Sequence, residues 1–186
     1  MPKITRRDWV KSSGAGAVGL MVFSRSARAA RRPNLLWLVS EDNSPWLGCY
    51  GDEFARTPNL DRLAGQGVVF DRAFANCPVC APARSTIHTG LYASSLGTQH
   101  MRSCSPMPDE VRFFTEHLRN SGYYCVNGNK TDYNTTGAPK GSWDERRMTP
   151  SLKGLKSREP FFCFINYAVT HESSLHKTKP TIHDPA

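Results

Sequence analysis

Cys80, Pro82 and Arg84 lie close together in the stretch NCPVCAPARSTIHTG. Proline suits the first position of a helix, where its missing N–H costs nothing. Pro82 therefore predicts a helix from about Ala83 to Thr89, stopped by Gly90. The Cys80 side chain would then sit at a helix start, where unpaired N–H groups and the macrodipole favour an anion. Arg84 follows about one turn later and adds a fixed positive charge on the same face. A sulfur nucleophile precursor, an anion-binding helix end and a guanidinium are the parts of a site that processes an anionic group.

Four further groups stand where such a site would need them. Glu41 and Asp42 end the apolar run Asn34-Leu35-Leu36-Trp37-Leu38-Val39-Ser40. Adjacent carboxylates repel unless a cation lies between them, and hard oxygen ligands suit Ca²⁺ or Mg²⁺. Taken alone, the pair reads more readily as the start of an acidic loop. Lys130 and Asp132 follow Tyr123 to Asn127, and His171 follows Pro160 to Tyr167. Singly, Lys130 reads as a solvated lysine and His171 as a surface histidine. Jointly they fall at the carboxyl ends of apolar runs, the edge at which open α/β sheets gather their ligands.

The elements that must position these groups read as α/β. Asn34 to Ser40 has no alternation and predicts a strand buried on both faces. Thr57 as cap and Pro58 at the first position open a short helix that ends at Gly65 or Gly67. Val68 to Phe74 alternates as a second strand would, and the cysteine stretch follows it. Gly97 to Arg102 forms a loop able to fold back over the site. Phe113 to Leu118 predicts a helix closing at Asn120-Ser121-Gly122, and Tyr123 to Asn127 and Pro160 to Tyr167 predict two more strands. Tyr133 to Arg158 is polar and punctuated by glycine and proline, without a clear element. Strand, helix, strand, helix in this order favours a mostly parallel sheet flanked by helices.

The 186 residues suffice for one domain, and the net charge of +8 does not mark a nucleic-acid binder. Residues 1–29 carry Lys3, Arg6, Arg7, Lys11, Arg25 and Arg28 against Asp8, which is +5 of that total. The remaining +3 is too little for a nucleic-acid surface without a clustered basic face. Thr5-Arg6-Arg7-Asp8-Trp9, a short apolar run from Gly14 to Phe23 and Ala27-Arg28-Ala29 read as a twin-arginine export signal cut near Ala29-Ala30. The run is too short for a stable membrane span. The expected partner is the Tat export machinery, and the expected destination is a bacterial periplasm or the exterior. Six scattered cysteines allow an oxidising compartment but give no pairing, and Cys77-x-x-Cys80 leaves a redox module open.

With these residues in place, the chain from Arg32 onward resembles the sulfatases, of the alkaline-phosphatase-like superfamily. Cys80-Ala81-Pro82-Ala83-Arg84 matches the family's C-x-P-x-R signature, and NLLWLVSEDNSPWLGCYG resembles its first strand and acidic pair. TPNLDRLAGQGVVFDRAF, GYYCVNGNKTDYN and PFFCFINYAVTHES resemble the segments that follow. The resemblance implies that Cys80 is converted to Cα-formylglycine by a maturation enzyme. Hydrated, the aldehyde would attack the sulfur of a sulfate ester with one hydroxyl and release sulfate through the other. It further implies that Glu41, Asp42 and the modified Cys80 hold a divalent cation, Ca²⁺ or alternatively Mg²⁺. Arg84 would stabilise the diol oxygen, Lys130 would grip sulfate, and His171 would contact or protonate the leaving group, with Asp132 a neighbour in substrate binding. The implied substrate is a sulfated carbohydrate or another sulfate ester.

The departures are Glu41 for the usual aspartate, Asp132 where many members have histidine, and Ala83 where serine is frequent. The family's second metal-ligand pair and a further substrate lysine find no match, so residues 30–186 are expected to be a truncated N-terminal part of the catalytic domain, with an incomplete fold. Two other readings stay open: an inactive fragment lacking those ligands, and a related metal-dependent phosphohydrolase with an unmodified nucleophile.

Overall fold

The computed structural model describes residues 31–148 and 151–176. The expected export signal and its cleavage point lie outside the described residues. From Pro33 onward the described residues belong to one unit built on a four-stranded sheet.

Strand β1 is Leu35–Ser40, helix α1 is Pro58–Ala64, helix α2 is Cys80–Thr89 and helix α3 is Phe114–Asn120. Strand β2 is Tyr124–Gly128, strand β3 is Glu145–Arg147 and strand β4 is Phe161–Tyr167. The sheet order is β1-β4-β2-β3, and every pairing is parallel. Leu35 to Ser40 lie against Phe162 to Tyr167, and Tyr124 to Gly128 against Phe161 to Ile165. Strand β4 is thus interior, which agrees with its apolar run from Phe161 to Ile165. Phe162, Cys163, Phe164 and Ile165 are all buried.

Each sheet face has its own cluster, as the two-residue side-chain period requires. On one face Cys125, Phe162 and Phe164 pack with Leu35, Val39, Phe114, Leu118, Tyr123 and Trp143. On the other Val126, Cys163 and Ile165 pack with Leu155. Trp37 joins the first face through ring contacts with Phe114, Phe162 and Phe164 at 5.1–5.7 Å.

Three expectations are corrected. β1 is not buried on both faces: it has a single neighbour, and Leu36 and Leu38 on its second face are 42 % and 54 % exposed. Val68 to Phe74 is not a strand, because no described strand pairs with it, and Val68, Phe70 and Phe74 face solvent. The segment is held instead by isolated contacts such as the Tyr50 hydroxyl, which donates to the Phe70 carbonyl at 3.2 Å. Within the polar 133–158 segment, β3 was not legible. Its three residues Glu145-Arg146-Arg147 are held by β2 and by the Glu145–Arg147 ion pair rather than by apolar burial.

The expected helices form. Thr57 precedes α1 without capping it through a backbone N–H; its hydroxyl accepts from the Gly48 N–H and donates to Asp61. Gly90 ends α2 at φ 73°, a left-handed conformation in which a Cβ is strained.

Candidate active site

All four strands point the same way, so the carboxyl ends of β1, β2 and β4 meet at one edge of the sheet. Glu41 leaves β1 buried, its N–H donating to the Tyr167 carbonyl at 3.3 Å and its own carbonyl accepting from the Thr170 hydroxyl at 2.5 Å. Its Oε2 lies 2.6 Å from Lys130 Nζ, which comes from the turn after β2. Its Oε1 is buried without a hydrogen-bond partner. Asp42 follows at φ 50° and accepts from the Glu172 N–H at 2.8 Å, which ties the end of β1 to the segment after β4.

Cys80 is the first residue of α2, after Val79 in extended conformation, and the Ala83 N–H to Val79 carbonyl bond is 2.9 Å long. The helix therefore starts earlier than Pro82 suggested, and Pro82 occupies its third position. The N–H groups of the first turn lack helical acceptors in any case, so proline fits there as well as at the first position. Cys80 is half-buried with a free thiol. Cys77, its C-x-x-C companion, is also free and donates its S–H to the Gln99 carbonyl at 3.3 Å.

Arg84 reaches from α2 beneath the turn that follows β2. It is 3 % exposed, and its guanidinium donates to the Lys130 carbonyl at 2.8 Å, the Asp132 carbonyl at 3.1 Å and Asn166 Oδ1 at 2.7 Å. It lies over the Tyr133 and Phe164 rings, 5.4 Å from each centroid. Burial lowers its pKa, while Tyr133, Glu41 and Asp132 oppose the shift. Arginine stays charged under such shifts. In this arrangement Arg84 is the anchor that holds the Lys130–Asp132 turn in place.

The remaining groups surround a cavity of about 360 Å³ lined by Asp42, Val79, Cys80, Met101, Arg102, Lys130, Asp132, His171 and Glu172. Cys80, Lys130, Asp132, His171 and Asp42, chosen from the sequence, thus share one space. The segment from Gly97 folds back over the site as expected, through Met101 and Arg102. His171 Nδ1 lies 2.9 Å from the Ser173 hydroxyl and accepts the Ser173 N–H at 3.2 Å. Accepting there leaves the ring proton on Nε2, where it can donate a hydrogen bond. A roomier cavity, about 560 Å³, is lined by residues of 106–112, Glu116 and residues 136–140 and holds none of the expected groups.

The expected cation site is formed only in part. Among the described residues no group of three His, Cys, Asp or Glu side chains is placed to hold a metal. Glu41, Asp42 and Cys80 are therefore not drawn into one ligand cluster: the Lys130 ammonium takes one Glu41 oxygen, and Asp42 turns an oxygen to the Glu172 N–H. The partnerless Glu41 Oε1 nevertheless fits a hard cation, and Glu41 and Asp42 would supply two of its oxygen ligands.

Sequence reasoning missed the supporting residues. Asn166 and Asn127 are fully buried polar residues inside apolar strands, and that interruption is the signal that each serves a partner. Asn166 receives Arg84, and Asn127 donates to the Lys130 carbonyl at 2.8 Å and to the Tyr133 hydroxyl at 3.0 Å. Asn134 gives no comparable signal, because it stands in a polar segment.

Comparison with known proteins agrees with this geometry. The sulfatase family model matches residues 33–181. An ulvan-active sulfatase of Formosa agariphila is 40 % identical over 156 residues, covering 77 % of this chain and 26 % of that protein. Iduronate 2-sulfatase of Mus musculus is 40 % identical over 77 residues, 41 % of this chain and 14 % of that protein. The structure of a 2-O GAG sulfatase superposes with a TM-score of 0.62 at 20 % identity, covering 83 % of this chain and 40 % of the other. Another, in complex with D-glucosamine-2-N,6-O-disulfate, gives 0.58 at 21 % identity over 73 % of this chain and 34 % of its own. These two structures establish the alkaline-phosphatase-like α/β fold, and the chain spans about a quarter of the first curated relative's length. With the family model matched over nearly all of the described residues, the chain belongs to the sulfatase family.

Proposed function

We propose that this chain carries the nucleophile-bearing part of a sulfuric ester hydrolase acting on sulfated carbohydrate. The observation that carries this reading is the meeting of Cys80, Lys130, Asp132 and His171 around one cavity at the strand ends. As a formylglycine made by a maturation enzyme, Cys80 would supply an oxygen nucleophile for sulfur and a second hydroxyl through which sulfate leaves. The free, half-buried thiol facing the cavity suits that conversion. Glu41 and Asp42 would hold Ca²⁺, or Mg²⁺, whose charge would draw the sulfate oxygens toward the helix start.

The chain's own residues supply the rest. The first turn of α2 offers N–H groups and the positive end of its dipole to the incoming anion. Lys130 adds a donor to sulfate once its ammonium is shared between Glu41 and substrate. His171 Nε2–H would donate a hydrogen bond to the leaving oxygen, while its Nδ1 is fixed by Ser173. Arg84 positions Lys130 and Asp132 from below. The twin-arginine pattern at Thr5-Arg6-Arg7 supports Tat export to a bacterial periplasm or beyond.

The test is expression of the chain with a formylglycine-generating enzyme, followed by mass spectrometry across Cys80 and assay of an aryl sulfate in Ca²⁺. Aldehyde at Cys80 with turnover lost in Cys80→Ala is the expected result. An intact thiol together with phosphomonoester turnover would favour the phosphohydrolase. A modified but inert chain would favour the inactive fragment.

A further inference from the structure

Two cations face the cavity, and they differ in what they already hold. Lys130 is bound to Glu41 at 2.6 Å. Arg102 is exposed, lines the same cavity, and makes no hydrogen bond or ion pair with another described residue. Its backbone is at φ 61°, a left-handed conformation that a non-glycine residue keeps only where its surroundings enforce it.

Asn134 supplies that enforcement. It is buried, stands itself at φ 59°, and donates through Nδ2 to the Thr98 and His100 carbonyls, both at 2.6 Å. Its Oδ1 accepts the Ser103 N–H at 3.1 Å, and its carbonyl accepts the Ser105 N–H at 3.2 Å. Its own N–H donates to Asp132 Oδ1 at 3.2 Å. One side chain thus fastens the 98–105 turn to the strand-end turn that carries Lys130 and Asp132, so that Arg102 is presented by a built support.

We infer that Arg102 reads a second anionic substituent on the substrate, beside the sulfate that is cleaved. This rests on the hydrolase reading given above. The cavity, about 360 Å³, falls in the range of small-ligand pockets and exceeds the needs of a lone sulfate group, so a sugar ring fits with its ester. Asp42, Asp132 and Glu172 line the same walls and repel any additional anion. A second anionic group is admitted only where Arg102 offsets them, and a guanidinium fork accepts a sulfate or carboxylate in bidentate fashion. Arg102 is in this sense a specificity residue for polyanionic saccharides, distinct from the helix start and Lys130, which receive the scissile group.

The experiment compares the matured wild-type chain with Arg102→Gln and Arg102→Lys on D-glucosamine-2-N,6-O-disulfate and on its 6-O-monosulfate. In Arg102→Gln the ratio of kcat/KM for the disulfate over the monosulfate should fall at least tenfold, mainly through KM, and Arg102→Lys should restore part of it. An unchanged ratio, or a loss confined to kcat on both substrates, overturns the inference. Should the wild type hydrolyse neither sugar, the hydrolase reading has failed separately. Calorimetric binding of the two sugars then decides: wild type prefers the disulfate and Arg102→Gln loses that preference, or the inference is wrong.

Discussion

Glu41 and Lys130 neutralise each other across the end of the sheet, with Oε2 and Nζ 2.6 Å apart, although both belong to the groups expected to receive cation and sulfate respectively. The ammonium stands where a divalent ion would draw on the same carboxylate. Removing it leaves a buried carboxylate without compensation, a change that costs about 3 kcal/mol or more. Lys130→Met should therefore lower stability by that order in chelator, as read by urea denaturation. Ca²⁺ should recover more stability in this variant than in wild type, because the ion replaces the missing charge. Equal Ca²⁺ responses in the two proteins would show that Glu41 takes no part in cation binding.

Arg84 is the least replaceable residue of the support. Three acceptors on two different segments depend on its planar fork, and lysine offers one point charge in its place. Arg84→Lys should destabilise the chain by about 2–4 kcal/mol, since a single ammonium cannot serve the part-buried carbonyls of Lys130 and Asp132 together with buried Asn166. Hydrogen exchange should show the 129–134 turn opening more readily than β4.

His88 gives the fold an acid limit. Its ring is fully buried among Phe113, Phe114, Tyr133, Trp143 and Phe164, and neither nitrogen has a hydrogen-bond partner. Burial, with a smaller push from Arg84, lowers its pKa from 6.5 to about 3. Between those values the unfolded chain binds a proton that the folded chain refuses, so stability falls as pH drops through that window, by about 1.4 kcal/mol per unit. At pH 7 the ring is neutral in both states and contributes no such slope. His88→Leu should remove this part of the acid sensitivity and raise stability at neutral pH by about 1 kcal/mol, because a partnerless polar group leaves the core. Denaturation curves at pH 7, 6 and 5 in both proteins are the check.

The six thiols should separate by reactivity. Cys125 and Cys163 are buried, burial pushing the Cys125 pKa up to about 12 and that of Cys163 also upward. Cys104 is exposed, and Cys80 faces the cavity at a helix start. Brief alkylation of the native, unmatured chain should label Cys104 and Cys80 and spare Cys125 and Cys163 by peptide mass spectrometry. Sulfate should slow labelling at Cys80 alone.

The site was legible in the sequence where chemistry follows strand ends: Glu41-Asp42, Lys130, Asp132 and His171 were chosen by position, and parallel pairing brings them to one edge. The helix of Cys80 was legible too, displaced only because proline is tolerated throughout the first turn. What escaped was set by tertiary context. The Val68 to Phe74 alternation had no partner strand to satisfy, and β3 is held through pairing with β2 that local sequence does not encode. Spacing alone sets Arg84 one turn from Cys80. Spacing could not reveal that Asn166, 82 residues later, would claim it.

The Glu41 carbonyl accepts from Thr170, 129 residues further along, and β1 pairs with β4 across a comparable stretch of sequence. Contacts so distant in sequence form late and slowly, since loop closure must precede them. During synthesis, Cys80 leaves the ribosome well before Lys130, Asp132, His171 and Glu172, which wall one side of its cavity, and that side stays open throughout the interval. The closing of the cavity then follows the pairing of β4 with β1, so a reporter placed there times that step.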